Sequence, residues 1–296
     1  MNTLTRRNVV LAAAIVGSMV AALFQPLPAK AAPAPRPFAV PRPATAPPTS
    51  ESPGILADQR AGILGTRWNV SGDMAWTTIG DATGLHLLTA EARAGYTWHT
   101  AATLTVSGLE TDQWIGNACL TSSGRHAVVV YAPRTFTNKP GLARRGAFTA
   151  VVDLRDGAVT KLPFTASLAY FNPGCGTGED AVLTQEGDED LGKTRLVRLD
   201  AATGRLSAGI ELKGQVTSAV PTRSGIAAAE GFRLVNVTGG RMRRVAATAG
   251  VPSSLTVDSG GGVNYLDVDR GRGTTRLLRT TGTITRVLAE GPAGEV

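Results

Sequence analysis

The chain has 296 residues, with 35 glycines, 17 prolines, two cysteines, 5% aromatic residues and a formal net charge of +7. This composition excludes a disulfide-dense miniprotein, a coiled coil and a membrane protein with many spanning helices. The excess of positive charge is too small to indicate nucleic-acid binding. About 240 foldable residues suffice for one large domain or two small ones.

The first segment, residues 1–31, has the pattern of a signal peptide for export. Arg6 and Arg7 precede a charge-free run from Val9 to Phe24, and Ala29-Lys30-Ala31 has the small-x-small form of a cleavage site. The apolar run is shorter than the ~20 residues of a membrane-spanning helix. The paired arginines resemble a twin-arginine signal, and a general secretion signal is the alternative. We expect no stable membrane span after cleavage.

Residues 32–58 are predicted to form a disordered spacer. Ten of the 17 prolines fall between Pro26 and Pro53, among Ala, Thr, Ser and Arg. Such a stretch buries too little apolar surface to offset its ordering entropy. The predicted folded domain therefore covers residues 59–296.

The folded domain is predicted to be all-β, because short alternating runs are separated by turn signals every eight to twelve residues. His126–Ala132 and Phe148–Leu154 are the clearest strands, and no dozen residues show a helical apolar stripe. Four hairpins repeat along the chain, with their turns at Gly157, Gly204, Gly240 and Gly282. A second series of glycines recurs in each unit at Gly84, Gly124, Gly178, Gly225 and Gly260 or Gly261.

Repeating units of ~40–50 residues with four strands each are typical of β-propeller blades. Five units are visible, at residues 65–106, 113–163, 167–213, 214–248 and 251–289. We therefore predict a β-propeller of four-stranded antiparallel blades over a β-sandwich, which has fewer strands and no internal period. Two arrangements stay open: a ring to which residues 62–70 add an outer strand, or the front part of a larger ring. Residues 289–296 resemble the start of a further connection.

The two cysteines, Cys119 and Cys175, fall near the ends of the first strands of consecutive units. Equivalent positions on neighbouring inner strands are close in a propeller, so an exported protein should join them in a disulfide. A metal site is disfavoured because no histidine lies at ligand spacing from either cysteine. We expect no metal and no cofactor.

The ionisable residues of the chain form no known catalytic motif. His86 and His126 occupy nearly the same place in two units, which indicates a structural role. An acidic loop, Glu186, Asp188, Glu189 and Asp190, is a candidate cation loop, although the spacing of an EF-hand is absent.

All four tryptophans lie before residue 115, and Trp76, Trp98 and Trp114 are the candidate ligand face. Tryptophans on a propeller face could stack on sugar rings. Packing between blades is the alternative use of these side chains.

Three stretches, residues 112–132, 146–162 and 168–183, resemble the N-terminal region of large secreted actinobacterial proteins with Rhs or YD repeats. The resemblance spans roughly residues 60–290, with Cys119 and Asn172–Gly176 as its most specific features. It implies a propeller at the front of a cell-wall-associated, polymorphic-toxin-like protein. The resemblance identifies no catalytic residue in this chain. It implies that the chain is a truncated or stand-alone form of that front region.

The resulting expectation is an exported, monomeric, non-enzymatic propeller that acts as a binding or scaffolding module at the cell surface or in the cell wall. Its partner would be a wall polymer, a glycan or another protein. The alternative is an extracellular propeller enzyme, a lyase or hydrolase acting on glycans. Three or more ionisable groups converging at the central funnel would favour the enzyme.

Overall fold

The computed structural model describes residues 54–169, 171–187 and 192–293. In this part of the chain twenty strands form five antiparallel sheets. The strands are β1 (74–80), β2 (85–91), β3 (98–104), β4 (114–120), β5 (126–133), β6 (147–153), β7 (159–166), β8 (174–175), β9 (180–186), β10 (193–200), β11 (205–206), β12 (210–213), β13 (216–222), β14 (225–230), β15 (233–238), β16 (241–247), β17 (253–257), β18 (263–269), β19 (274–281) and β20 (284–292). The predicted signal peptide and nearly all of the predicted spacer lie outside the described residues.

The five sheets are the blades of a β-propeller, which confirms the predicted fold class. Blades 2, 4 and 5 are four-stranded meanders, β4–β7, β13–β16 and β17–β20. Blade 1 has three strands, β1–β3, in the described residues. In blade 3, two short strands, β11 and β12, both pair with β10 and divide the outer strand in two. The innermost strands are β1, β4, β8, β13 and β17.

Apolar layers between consecutive blades hold the propeller together. Strand β5 is buried along its whole length. Its Val129 packs in the layer between blades 1 and 2, whereas Val128 and Val130 pack in the layer between blades 2 and 3. Successive side chains of a strand point to opposite faces, so one apolar strand serves two cores. Similar layers join blade 3 to blade 4 and blade 4 to blade 5.

The seam between blade 5 and blade 1 differs from the other four. Among the described residues no buried apolar cluster joins these two blades. Ile79 of β1 is 59% exposed, and Ile284 and Val287 of β20 are exposed as well. The inner strands of both blades nevertheless line the same central cavity.

Glycines permit both the hairpin turns and the close approach of the inner strands. The four predicted turn glycines, at 157, 204, 240 and 282, all have φ between 60° and 75°, which L-residues with a Cβ rarely adopt. At Gly174 of β8 a Cβ would lie 2.0 Å from the carbonyl oxygen of Ala219 in β13. Only glycine therefore lets blades 3 and 4 meet at this distance around the axis.

Two predictions about the ends of the domain were wrong. Residues 62–70 add no outer strand to blade 5, because helix α1 (Arg60–Leu64) and a 3₁₀ turn (Trp68–Val70) occupy this range. The Ile55 amide donates to the Gly95 carbonyl, 2.7 Å away, which ties this segment to blade 1. Residues 289–292 do not begin a new connection but complete β20, the outer strand of blade 5.

Helices are minor elements in the described part of the chain. Helix α2 (Pro140–Arg145) lies in the connection between β5 and β6, and the only other α-helix described is the five-residue α1. In these residues no helix has the length and apolar content needed to span a bilayer.

Candidate binding site

The inner strands of all five blades surround a central cavity of about 430 Å³. This volume falls in the ~300–1,000 Å³ range of small-molecule sites. Blade 1 contributes Trp76, and blade 2 contributes Asn117 to Leu120. The other lining residues are Phe171, Pro173, Gly174 and Cys175 of blade 3, Ser218 of blade 4, and Ser254, Leu255 and Thr256 of blade 5.

The blade 3 side of the cavity is shaped by a buried asparagine. The Asn172 side chain donates to the Ser167 carbonyl, 2.7 Å away, and its oxygen accepts from the Thr184 amide at 3.0 Å. These bonds attach the loop to strand β9 where β8 has only two residues. The loop thereby presents Phe171 and Pro173 to the cavity.

The disulfide forms part of the cavity wall. Cys119 of β4 and Cys175 of β8 are bonded, with an S–S distance of 2.04 Å. This bond confirms the predicted pairing of cysteines on neighbouring inner strands. Both residues line the cavity and pack against the apolar layer between blades 2 and 3.

The cavity lining combines apolar surface with uncharged polar groups. Asn117 donates its side-chain amide to the Ala169 carbonyl, 3.2 Å away, and its amide oxygen is left as an acceptor. The hydroxyls of Ser218, Ser254 and Thr256 come from blades 4 and 5. Among the described residues, no Asp, Glu, His, Lys, Arg or Tyr side chain lines the cavity.

The structure does not bring the three candidate tryptophans together. Trp76 lines the cavity and is 36% exposed. Trp114 is only 2% exposed and packs 5.9 Å from Tyr131 in the core between blades 1 and 2, so it is not accessible to a ligand. Trp98 is half-buried at the start of β3, the strand of blade 1 farthest from the axis. The candidate ligand face therefore reduces to Trp76.

The two equivalent histidines lie away from the cavity, and each is held by a carboxylate. His86 Nε2 lies 3.1 Å from Asp81 Oδ1, and His86 Nδ1 lies 2.9 Å from the Thr103 hydroxyl. His126 Nδ1 lies 2.7 Å from Glu179 Oε2, which belongs to the next blade. Both imidazoles are buried and bonded within the fold, as expected for structural positions.

Asp81 shapes the turn between β1 and β2. Its Oδ1 accepts the Thr83 amide at 2.7 Å and the Thr83 hydroxyl at 2.6 Å. Partial burial opposes ionisation, but the bonds from Thr83 and His86 outweigh it and lower the pKa of Asp81 to about 2. Because this folded-state pKa lies below the ordinary 3.8, the carboxylate stabilises the fold above pH 4.

We expect Asp81→Asn to lower the free energy of unfolding by about 1 kcal/mol at pH 7, a value reduced for solvent screening. The difference from wild type should shrink as the pH falls from 4 towards 2, because the wild-type carboxylate then takes up a proton. Urea unfolding at pH 7, 4 and 2.5 measures this. Asp58→Asn, at an exposed carboxylate with no described hydrogen bond, is the control. A difference that does not depend on pH would contradict the prediction.

The candidate cation loop is only partly described. Glu186 accepts a hydrogen bond from the Ser167 hydroxyl at 3.3 Å. Asp188, Glu189 and Asp190 lie outside the described residues. Within the described ranges, no group of three or more His, Cys, Asp or Glu side chains is placed to hold a metal ion.

Two strand carboxylates that belong to no sequence motif form ion pairs in the structure. Asp153 lies 2.9 Å from Arg155, whose hydrogen bond holds the pKa of this carboxyl well below its usual range. Asp267 of β18 faces Arg276 across the β18–β19 hairpin, 2.6 Å away. Asp267 and Arg276 lie at equal distances in sequence from the turn between β18 and β19. This spacing is the feature of the sequence that indicates that the two residues face each other. Nothing in the sequence around Ser218 or Ser254 indicates that these residues line a cavity.

Comparison with known proteins bears on the fold alone. No protein-family model and no curated protein matches the chain. TolB from Acinetobacter baumannii is a similar solved structure, with a TM-score of 0.52 and 14% identity over 75% of this chain and 53% of that chain. The chain thus spans about half the length of that TolB.

Two further structures are similar at lower TM-scores. A putative TolB from Agrobacterium tumefaciens has a TM-score of 0.49 and 10% identity, over 73% of this chain and 82% of that chain. An oligogalacturonate lyase in complex with manganese has a TM-score of 0.46 and 14% identity, over 71% of this chain and 60% of that chain. Together with the five blades, the TolB match from Acinetobacter baumannii places the chain among β-propellers at the level of fold.

Proposed function

We propose that this protein is an exported, non-enzymatic β-propeller that binds its ligand in the central cavity and acts at the cell surface. The observation that carries the proposal is the chemistry of the cavity lining. General acid–base and nucleophilic catalysis need ionisable groups that converge on one point. The described lining offers an aromatic ring, apolar surface and uncharged polar groups instead. Such a surface suits binding.

Two features support an extracellular location. The N-terminal sequence has the pattern of an export signal. The Cys119–Cys175 disulfide suits an oxidising compartment, because cytosolic thiols are kept reduced. The resemblance to the front region of Rhs and YD-repeat proteins adds the cell wall as the proposed place of action.

The test is the retention of the purified protein on isolated actinobacterial cell walls. Thr256 is exposed to the cavity, so Thr256→Trp should fill part of its volume without disturbing the core. We expect at least tenfold weaker retention for this variant. Thr281→Trp, at an exposed position at the end of β19 in the same blade, is the matched control and should bind as wild type does.

Two results would overturn the proposal. Equal retention of Thr256→Trp and wild type would place binding outside the cavity. Release of soluble fragments or new reducing ends from the walls would indicate an enzyme.

A further inference from the structure

The lack of charged side chains in the described cavity lining restricts the class of ligand that the cavity can bind. A charged group that enters a partly enclosed site loses its hydration and needs an opposite charge or several hydrogen bonds in return. The described lining contains no ionised side chain to provide the opposite charge. The cavity is therefore suited to a neutral ligand.

Ser218 provides a polar group to the cavity wall from blade 4. The residue is only 3% exposed, and it lines the cavity. A ligand that fills the cavity excludes water from the Ser218 hydroxyl, so a ligand that bonds this group is favoured over one that leaves it without a partner.

Ser254 lies in the cavity wall with an unusual backbone conformation. Its φ is +53°, in the left-handed region that a residue with a side chain rarely adopts. It lies in a β-bulge, where the register of β17 shifts between Ser253 and Thr256. Bulges and left-handed residues are frequent at ligand sites, where they redirect a side chain. In this bulge Ser254 and Thr256 both line the cavity.

The polar groups and the aromatic ring lie on different blades around the same space. Trp76 of blade 1 offers a partly exposed ring, and Phe171 and Pro173 of blade 3 add apolar surface. Asn117, Ser218 and Ser254 offer an amide oxygen and two hydroxyls from blades 2, 4 and 5. A ligand that fits has one apolar face and a rim of neutral hydroxyl or amide groups, which is the chemistry of a sugar ring.

We infer that the central cavity binds a neutral sugar unit, which stacks on Trp76 and exchanges hydrogen bonds with Ser218, Ser254 and Asn117. This inference rests on the proposed function, because it names the ligand class of the same cavity. Trp76 provides the apolar contact. The buried Ser218 provides selectivity for a hydroxylated ligand, since a ligand without a hydroxyl would leave the serine unpaired.

The test is calorimetric titration of the full domain with defined oligosaccharides. The probes are neutral oligomers of N-acetylglucosamine, glucose and galactose, with galacturonate oligomers as the charged comparison. We expect at least one neutral series to bind, and the charged oligomers to bind at least tenfold more weakly. Trp76→Ala should abolish binding, and Trp76→Phe should restore part of it. Ser218→Ala should weaken binding by five- to fiftyfold at an unchanged melting temperature.

Ser254→Gly separates a binding role from a structural one. Glycine adopts φ of +53° without strain, so this variant should melt at or above the wild-type temperature and yet bind the sugar several-fold more weakly. A lower melting temperature with unchanged affinity would remove Ser254 from the proposed site.

The outcomes distinguish this inference from the proposal on which it rests. If wall retention depends on Thr256 but no neutral oligosaccharide binds, the cavity is the site and the ligand is not a neutral sugar. Preferential binding of galacturonate or of a wall peptide would overturn the inference in the same way. If retention does not respond to Thr256→Trp, both ideas fail together.

Discussion

A chain in which Cys119 and Cys175 are both replaced by alanine should have a free energy of unfolding about 4 kcal/mol smaller than that of the oxidised wild type. The bond joins residues 56 apart and links the inner strands of blades 2 and 3. Without it, the unfolded chain gains the freedom that the closed loop had removed. Alanine is chosen because both positions pack against the apolar layer between the two blades. Urea unfolding measures the change.

Two controls accompany the cysteine experiment. Wild-type protein kept reduced with dithiothreitol should unfold at the same urea concentration as the double variant. Cys119→Ala alone should match the double variant, because either change removes the same bond. A loss below 1 kcal/mol, with the bond verified in the wild type by mass spectrometry, would show that the disulfide contributes little to stability.

The second large effect is expected at Asp267, where alanine should lower the free energy of unfolding by about 3–5 kcal/mol. The carboxylate is completely buried. Its oxygens accept the Gly250 amide at 2.8 Å, the Ala249 amide at 3.2 Å and an Arg276 guanidinium N–H at 2.6 Å. Asp267→Ala leaves these three donors without their acceptor. The loop from blade 4 to blade 5 then loses its attachment to β18.

Asp269→Ala is the matched control, two residues along the same strand. Its carboxylate is partly exposed and bonds only within the adjacent turn, to Arg272. We expect a loss of about 1 kcal/mol or less for this variant. A double-mutant cycle with Arg276→Met isolates the ion pair from the backbone bonds. Equal losses at 267 and 269 would refute the structural role assigned to Asp267.

The turn glycines and the cysteines show which features could be predicted from the sequence. Gly157, Gly204, Gly240 and Gly282 each have a positive φ at a hairpin turn, as their repeated spacing indicated. A left-handed turn is a local requirement that glycine meets without help from distant residues. The cysteine pairing depends on a long-range contact, but the repeat places both cysteines near the ends of the first strands of adjacent units.

The tryptophans show where sequence reasoning about the site fell short. Trp76 and Trp114 occupy similar places in β1 and β4, yet Trp76 borders the cavity and Trp114 is buried against Tyr131. The difference arises because Trp114 lies between blades 1 and 2. Trp76 lines a space that the five inner strands create together. The sequence around each tryptophan does not show whether a neighbouring blade will cover its side chain.

The amino-acid sequence by itself determined the repeat, the hairpin turns, the five visible units and the pairing of the cysteines, because each depends on local backbone chemistry or on the period of the chain. It left the number of blades and the closure of the ring open. Only the tertiary structure decided the composition of the central cavity, the placement of Ser218 in its wall and the left-handed backbone of Ser254. These properties arise because residues of five blades, which span the chain from Trp76 to Thr256, meet around one axis. The sequence period within one blade does not predict which residues of different blades come together, because that depends on how the blades pack against each other.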